Sequence, residues 1–121
     1  MRALIVDDSR SIRSYVRLLL ERQGIDCVEA ENGAAALAVM KEHGLCDLAL
    51  VDINMPVMGG LECVKKMRSS RAMDSMKIMM VTTEADHALI EEALIAGADE
   101  YLMKPFDSAA LIGKLQMIGI A

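Results

Sequence analysis

Short apolar blocks alternate along this chain with longer stretches that carry hydrophobic residues at helical spacing. Ala3-Leu4-Ile5-Val6, Leu48-Ala49-Leu50-Val51 and Ile78-Met79-Met80-Val81 are continuously apolar. Strands buried on both faces of a parallel sheet read this way, whereas half-exposed strands alternate. The blocks begin near Arg2, Ile25, Asp47, Met76 and Asp99, and the spacing predicts helices over 10–23, 34–43, 61–70, 85–96 and 108–118. Gly24, Gly44 and Gly97 fall where a left-handed residue ends a helix. Asp107, and Asn32 or Gly33, fall where one begins. Strand and helix thus repeat five times with no compositional break, which predicts a doubly wound α/β domain over 1–121. The leading topology is flavodoxin-like, a parallel sheet in the order 2-1-3-4-5 with helices on both faces. In such a sheet a ligand belongs at the carboxyl ends of the strands, near the switch point between strands 1 and 3.

Composition removes several function classes. The 121 residues carry a formal net charge of -5, 54% hydrophobic and 26% charged residues, and 2% aromatics. Acidity and scarce aromatics argue against direct nucleic-acid binding, which needs basic and stacking surfaces. No apolar block approaches the roughly 20 residues that span a bilayer. The first block runs straight into Asp7-Asp8, unlike a secretory signal, so membrane insertion is not expected. Cys27, Cys46 and Cys63 are odd in number and form no CxxC, which predicts reduced, mostly buried thiols and a cytoplasmic protein. The 11 methionines read as core fillers.

Chemistry concentrates at the strand ends. The first block stops at Asp7-Asp8, the third at Asp52, the fourth at Thr82 and the fifth at Lys104-Pro105. In the order 2-1-3-4-5 these four strands are neighbours, so three carboxylates, a hydroxyl and an ammonium converge. Crowded carboxylates raise one another's pKa unless a cation intervenes. A few carboxylates plus water is how Mg²⁺ is usually held. Excess acid, a metal and one lysine suit a transferring phosphoryl group, with one carboxylate as nucleophile. Taken singly, each residue has a plainer role: Asp7 or Asp8 as a helix cap, Asp52 in a turn, Thr82 bonding its own backbone, Lys104 on the surface.

Together these residues resemble a response-regulator receiver domain, closest to the chemotaxis-type single-domain regulators. The resemblance runs from about Arg2 to about Ile118. It rests on Asp7-Asp8, on Asp52-Ile53-Asn54-Met55-Pro56 with Gly59-Gly60, on Thr82 with Glu84, and on Lys104-Pro105-Phe106. It implies a phosphorylation-dependent switch of a two-component phosphorelay. It does not imply an enzyme, beyond self-catalysed phosphoryl transfer and autodephosphorylation. Asp52 would accept the phosphoryl group from a sensor histidine kinase or a histidine phosphotransfer protein. Mg²⁺ would be held by Asp8, Asp52 and the Asn54 carbonyl, with Asp7 acting largely through water. Lys104 and the Thr82 hydroxyl would bind the phosphoryl oxygens, and backbone amides near Asn54 and Thr83 would complete the cradle. Pro105 and Gly60 would be structural at the site. Tyr101 matches the family's switch aromatic, and the face built by helix 4, strand 5 and helix 5 would meet a downstream target protein or output domain. Thr83 is bulkier than the family's usual residue, whereas Asn54 and Glu84 match regulators with fast phosphoryl turnover, so no lifetime follows.

Other charged groups read less sharply. Arg10, Arg13 and Arg17 share a helix face, either for donor docking or simply solvated. Lys65, Lys66, Arg68 and Arg71 read as ordinary charged surface. Neither His43 nor His87 reads as a phosphocarrier. A haloacid-dehalogenase-like phosphatase is a weaker alternative, because its nucleophile follows the first strand in a D-x-D pattern. A flavodoxin-like cofactor binder is disfavoured by Asp7-Asp8, and a pseudo-receiver by the complete residue set. A receiver fragment of a longer regulator is the nearest alternative.

Overall fold

The computed structural model describes residues 1–83 and 87–120. The elements are β1 (Arg2–Val6), α1 (Arg10–Glu21), β2 (Asp26–Ala30), α2 (Gly33–His43), β3 (Leu48–Asp52), α3 (Gly60–Arg68), a short 3₁₀ turn (Arg71–Met73), β4 (Lys77–Thr82), α4 (His87–Ala96), β5 (Glu100–Met103) and α5 (Ser108–Met117). All strand pairs are parallel and the sheet order is β2-β1-β3-β4-β5. The expected alternation and order are both present, with element ends shifted by a residue or two. Residues 84–86, which include Glu84 and the expected start of α4, lie outside the described residues.

Local chemistry explains where the helices begin and end. Ser9 caps α1 by accepting from the Ile12 N–H, Asn32 caps α2 through Ala35, and Asp107 caps α5 through Ala110. Gly24, Gly44 and Gly97 follow helices at φ +78°, +92° and +124°, where an L side chain is strained. The strands β3, fully buried, and β4, buried beyond Lys77, divide the interior into two cores. One contains Leu4, Val6, Ala49, Val51 and Met80 packed on α2, α3 and α4. The other contains Ala3, Ile5, Leu50, Met79 and Val81 packed on α1 and α5. Period-2 alternation along each strand sends neighbours to opposite cores. Met40, Met67, Met76, Met79 and Met80 are buried, as core fillers should be. Cys27, Cys46 and Cys63 are free and buried. Among the described residues no helix is long and apolar enough to cross a membrane.

Two expectations about surface charge are corrected. Arg68 is not a solvated helix residue: its guanidinium donates to the carbonyls of Gly97, Met73 and Met76 at 2.8–2.9 Å and pairs with Asp99 at 3.0 Å. Asp99 also accepts from the Ile78 N–H, so one arginine ties α3 to the amino-terminal ends of β4 and β5. Arg13 and Arg17 likewise turn inward, both pairing with Glu29 of β2. Arg13 also donates to the Asp7 carbonyl at 2.7 Å, and Arg17 to the Cys27 carbonyl at 2.6 Å. Of the three arginines on that face, Arg10 is exposed and the other two are partly buried.

Candidate functional site

Strand register builds the site. Val6 pairs with Val51, so Asp7 and Asp52 are the next residues outward on adjacent strands. Asp52 in turn faces Val81, and Thr82 faces Met103, so Thr82 and Lys104 emerge at the same end of the sheet. The Lys104 N–H donates to the Thr82 carbonyl at 2.6 Å, continuing the β4–β5 ladder one step beyond the strand. Each of Asp7, Asp8 and Asp52 offers a carboxylate oxygen within 4.8 Å of the others. Lys104 Nζ lies 3.0 Å from Asp7 Oδ2 and 3.4 Å from Asp52 Oδ1. Asp7, Asp52 and Thr82 are buried, whereas Asp8 and Asn54 are exposed.

The acids are not interchangeable. Asp7 Oδ1 accepts from the Ser9 N–H at 2.8 Å while Oδ2 accepts from Lys104, so both oxygens already have donors. Ser9, not Asp7 or Asp8, caps the following helix. Asp52 is pushed up to about 6, first by burial and next by the charge of Asp7; Lys104 and the Asn54 backbone pull the other way. Burial works against the Lys104 charge, but the hydrogen bond it donates to Asp7 and the charges of Asp52 and Asp7 outweigh it, so the lysine is held above its ordinary value. Three acids against one ammonium leave a net negative crevice. A hard divalent cation fits that donor set, all of it oxygen.

The backbone around Asp52 is folded tightly. A Cβ at Gly60 would come within 2.8 Å of Ile53 Cα, so the start of α3 can approach the end of β3 only with glycine there. The Gly60 N–H donates to the Ile53 carbonyl at 2.9 Å. Val57 sits between them at φ +69°, an unusual conformation for a β-branched residue, and is 85% exposed. The Lys104-Pro105 peptide is cis.

Tyr101 lies one strand-face away from the acids, half-buried on the core shared with α3 and α4. Lys114 of α5 sits over its ring at 4.4 Å and pairs with Glu100 at 3.1 Å. Thr83 is exposed and lines a cavity together with Lys104 and Pro105. Two contributors were not visible in the sequence pattern. Arg13 holds the Asp7 carbonyl, and Tyr15 donates its hydroxyl to the Phe106 carbonyl at 2.9 Å, tying α1 to the loop after Lys104. A signal did exist for Tyr15. It is one of only three aromatic residues in the chain and lies one helical turn from Ile12.

The chain as a whole has close counterparts. The chain is 41% identical over 117 residues to a chemotaxis protein CheY homolog of Campylobacter jejuni, spanning 96% of this chain and 90% of that one. It is 38% identical over 119 residues to chemotaxis protein CheY1 of Helicobacter pylori, spanning 98% and 96%. The crystal structure of chemotaxis protein CheY4 of Vibrio cholerae superposes with a TM-score of 0.89 at 37% identity, covering 97% of both chains. A phosphatase of the haloacid-dehalogenase kind is not favoured. The response regulator receiver domain family matches residues 3–116, and the chain belongs to it, a phosphorylation-dependent signalling switch of the two-component, chemotaxis-like kind and not a conventional enzyme.

Proposed function

We propose that residues 1–121 form one receiver domain in which Asp52 is the phosphoacceptor and Asp7, Asp8, Asn54, Thr82, Thr83 and Lys104 serve the transfer. The observation that carries this reading is the Lys104 ammonium bridging Asp7 and Asp52 beside Asp8 at the strand ends. Asp8 and Asp52, with the Asn54 carbonyl, would hold Mg²⁺. Asp7, whose oxygens already accept from Ser9 and Lys104, fits a water-mediated part. When bound, the ion supplies positive charge against the phosphoryl oxygens and relieves the crowding of the acids.

An Asp52 carboxylate oxygen attacks phosphorus, and the bond from phosphorus to the donor's nitrogen or oxygen breaks with its electron pair leaving on the donor. Lys104 neutralises charge that develops on the transferring group, the role a fixed cation plays in phosphoryl transfer. The burial that raises Asp52 also strengthens this attraction, because water screens it less. Donors are a phosphohistidine on a sensor kinase or phosphotransfer protein, or a small acyl phosphate. The product carries nearly two negative charges beside Thr82, where the free carboxylate carried at most one. Thr82 then turns toward the phosphoryl group, Tyr101 follows into the space vacated, and the face of α4, β5 and α5 changes for a downstream target protein or output domain. Three buried free cysteines suit the reducing cytoplasm in which such a relay would operate.

Incubation with acetyl phosphate and Mg²⁺, followed by intact mass, tests the acceptor. One added phosphoryl group is expected, lost in Asp52→Asn and with chelator. No adduct under any of these conditions overturns the reading. For the switch, Thr82→Ala and Tyr101→Ala should each uncouple partner binding from phosphorylation; coupling retained in both would rule out that route.

A further inference from the structure

A cavity of about 520 Å³ opens beside the crevice, lined by Ile12, Tyr15, Thr83, Lys104, Pro105 and Phe106. Among the described residues its wall is apolar apart from Thr83, Lys104 and the tyrosine hydroxyl. In a chain with two tyrosines and one phenylalanine, two of those three rings line this space. Core demand accounts for them only in part: Tyr15 is 40% exposed, and Phe106, packed on the core under α1 and α5, is half-buried. The two rings are also held against one another, centroids 5.8 Å apart and tilted by 45°. The Tyr15 hydroxyl, bonded to the Phe106 carbonyl, fixes that arrangement in advance of any ligand. Pre-formed, largely apolar cavities of a few hundred Å³ with a few polar groups are what small-molecule sites look like.

The cavity is continuous with the crevice through one side chain. Lys104 contributes to its wall and also stands 3.4 Å from Asp52. A phosphoryl group held between Lys104 and Asp52 therefore has an apolar space within reach of its substituent. Resting on the phosphoacceptor reading above, we propose that this cavity is a leaving-group pocket. It takes the apolar, planar body of an acyl phosphate donor, so the domain discriminates among donors by what the phosphoryl group departs from. In the transfer, an Asp52 oxygen bonds to phosphorus, the phosphorus–oxygen bond to the acyl group breaks, and a carboxylate leaves with the electron pair; no proton is needed. An apolar cavity of about 150 Å³ already accepts benzene. The space here holds an aromatic acyl group with room for its carboxylate end near Lys104.

The test compares benzoyl phosphate with acetyl phosphate as donors to the same protein at the same Mg²⁺ concentration, with the Asp52 adduct followed by intact mass. Half-saturation at a donor concentration at least fivefold lower for benzoyl phosphate is expected. That ratio should fall toward one in Ile12→Ser, which opens the wall, and in Ile12→Trp, which fills the space. Two variants with opposite volume changes keep the outcome readable if either folds poorly. Equal half-saturation in the unaltered protein, or a ratio unchanged in both variants, overturns the pocket while leaving Asp52 as acceptor. No adduct from either donor overturns the acceptor reading and the pocket with it.

Discussion

The two ends of the sheet use the same kinds of groups to opposite effect. At the amino-terminal end of β4 and β5, Arg68 meets one carboxylate and three backbone carbonyls, and each of its nitrogens has a partner within 3.0 Å. At the carboxyl end, Lys104 alone faces Asp7 and Asp52, with Asp8 close by. Arg68 closes a local balance, and a ligand would find nothing left to bind. Lys104 leaves one open, with more acid than base, and under the proposed function an incoming cation and a phosphoryl group complete it. A strong binding end is therefore intrinsically a weakly stabilised one, and charge imbalance marks it better than charge itself.

Breaking the balanced end should produce the largest loss. Arg68→Met removes the partner of Asp99 and leaves three carbonyls without their donor; three hydrogen bonds at about 1 kcal/mol each, with little added by the partly exposed ion pair, make a loss of about 3 kcal/mol. Chemical denaturation should show that loss, while phosphoryl adduct formation persists in the folded fraction. A stability change under 1 kcal/mol would mean the two ends differ less than their geometry says. The opposite sign is expected at the other end. Asp52 sits at about 6 against an ordinary 3.8, so the folded state binds its proton more tightly than the unfolded one. Stability from that proton is present at low pH and is lost as pH rises from about 4 to about 6. In chelator at pH 7.5, Asp52→Asn should consequently be more stable than the unaltered protein by about 2 kcal/mol, and the gain should vanish near pH 4. A gain independent of pH would place its source elsewhere.

Smaller effects sharpen the contrast. Arg13→Met leaves Glu29 still paired with Arg17 but removes the donor to the Asp7 carbonyl. A loss of about 1 kcal/mol is expected, near the net value of one hydrogen bond. If the arginine serves the site, calorimetric Mg²⁺ affinity should fall as well, by up to about fivefold. Unchanged Mg²⁺ affinity would make Arg13 a fold residue only. Last, Val57→Asn relieves a left-handed conformation that valine tolerates poorly, and should raise stability by about 0.5 kcal/mol in thermal melts.

Much of the fold was legible because buried parallel strands read as unbroken apolar runs, and because Asn32, Asp107, Gly24, Gly44 and Gly97 punctuate the helices as their chemistry dictates. The site was legible for a related reason. β1, β3 and β4 keep their apolar runs until they leave the core, so the first polar residue marks the carboxyl end at Asp7, Asp52 and Thr82, and Lys104 follows the apolar end of β5 in the same way. What stayed hidden needed partners far away in the chain. Arg68 is a surface lysine's equal in any periodicity, and only the return of Gly97 and Asp99 shows that it is enclosed. Arg13 and Arg17 fall on an apparently solvated face until Glu29 arrives on the neighbouring strand. The hold of Tyr15 on Phe106 spans 91 positions, and the scarcity of aromatics was its one trace in the sequence.

The sheet that carries the site also works as a partition. Ile12 and Phe106 pack against the core under α1 and α5, whereas Tyr101 packs against the one under α2, α3 and α4. Substitutions on sides that share no packed neighbours combine additively. Under the proposed roles, a lineage can therefore retune which donor it listens to without disturbing which target it addresses, and a duplicated copy can change one allegiance at a time.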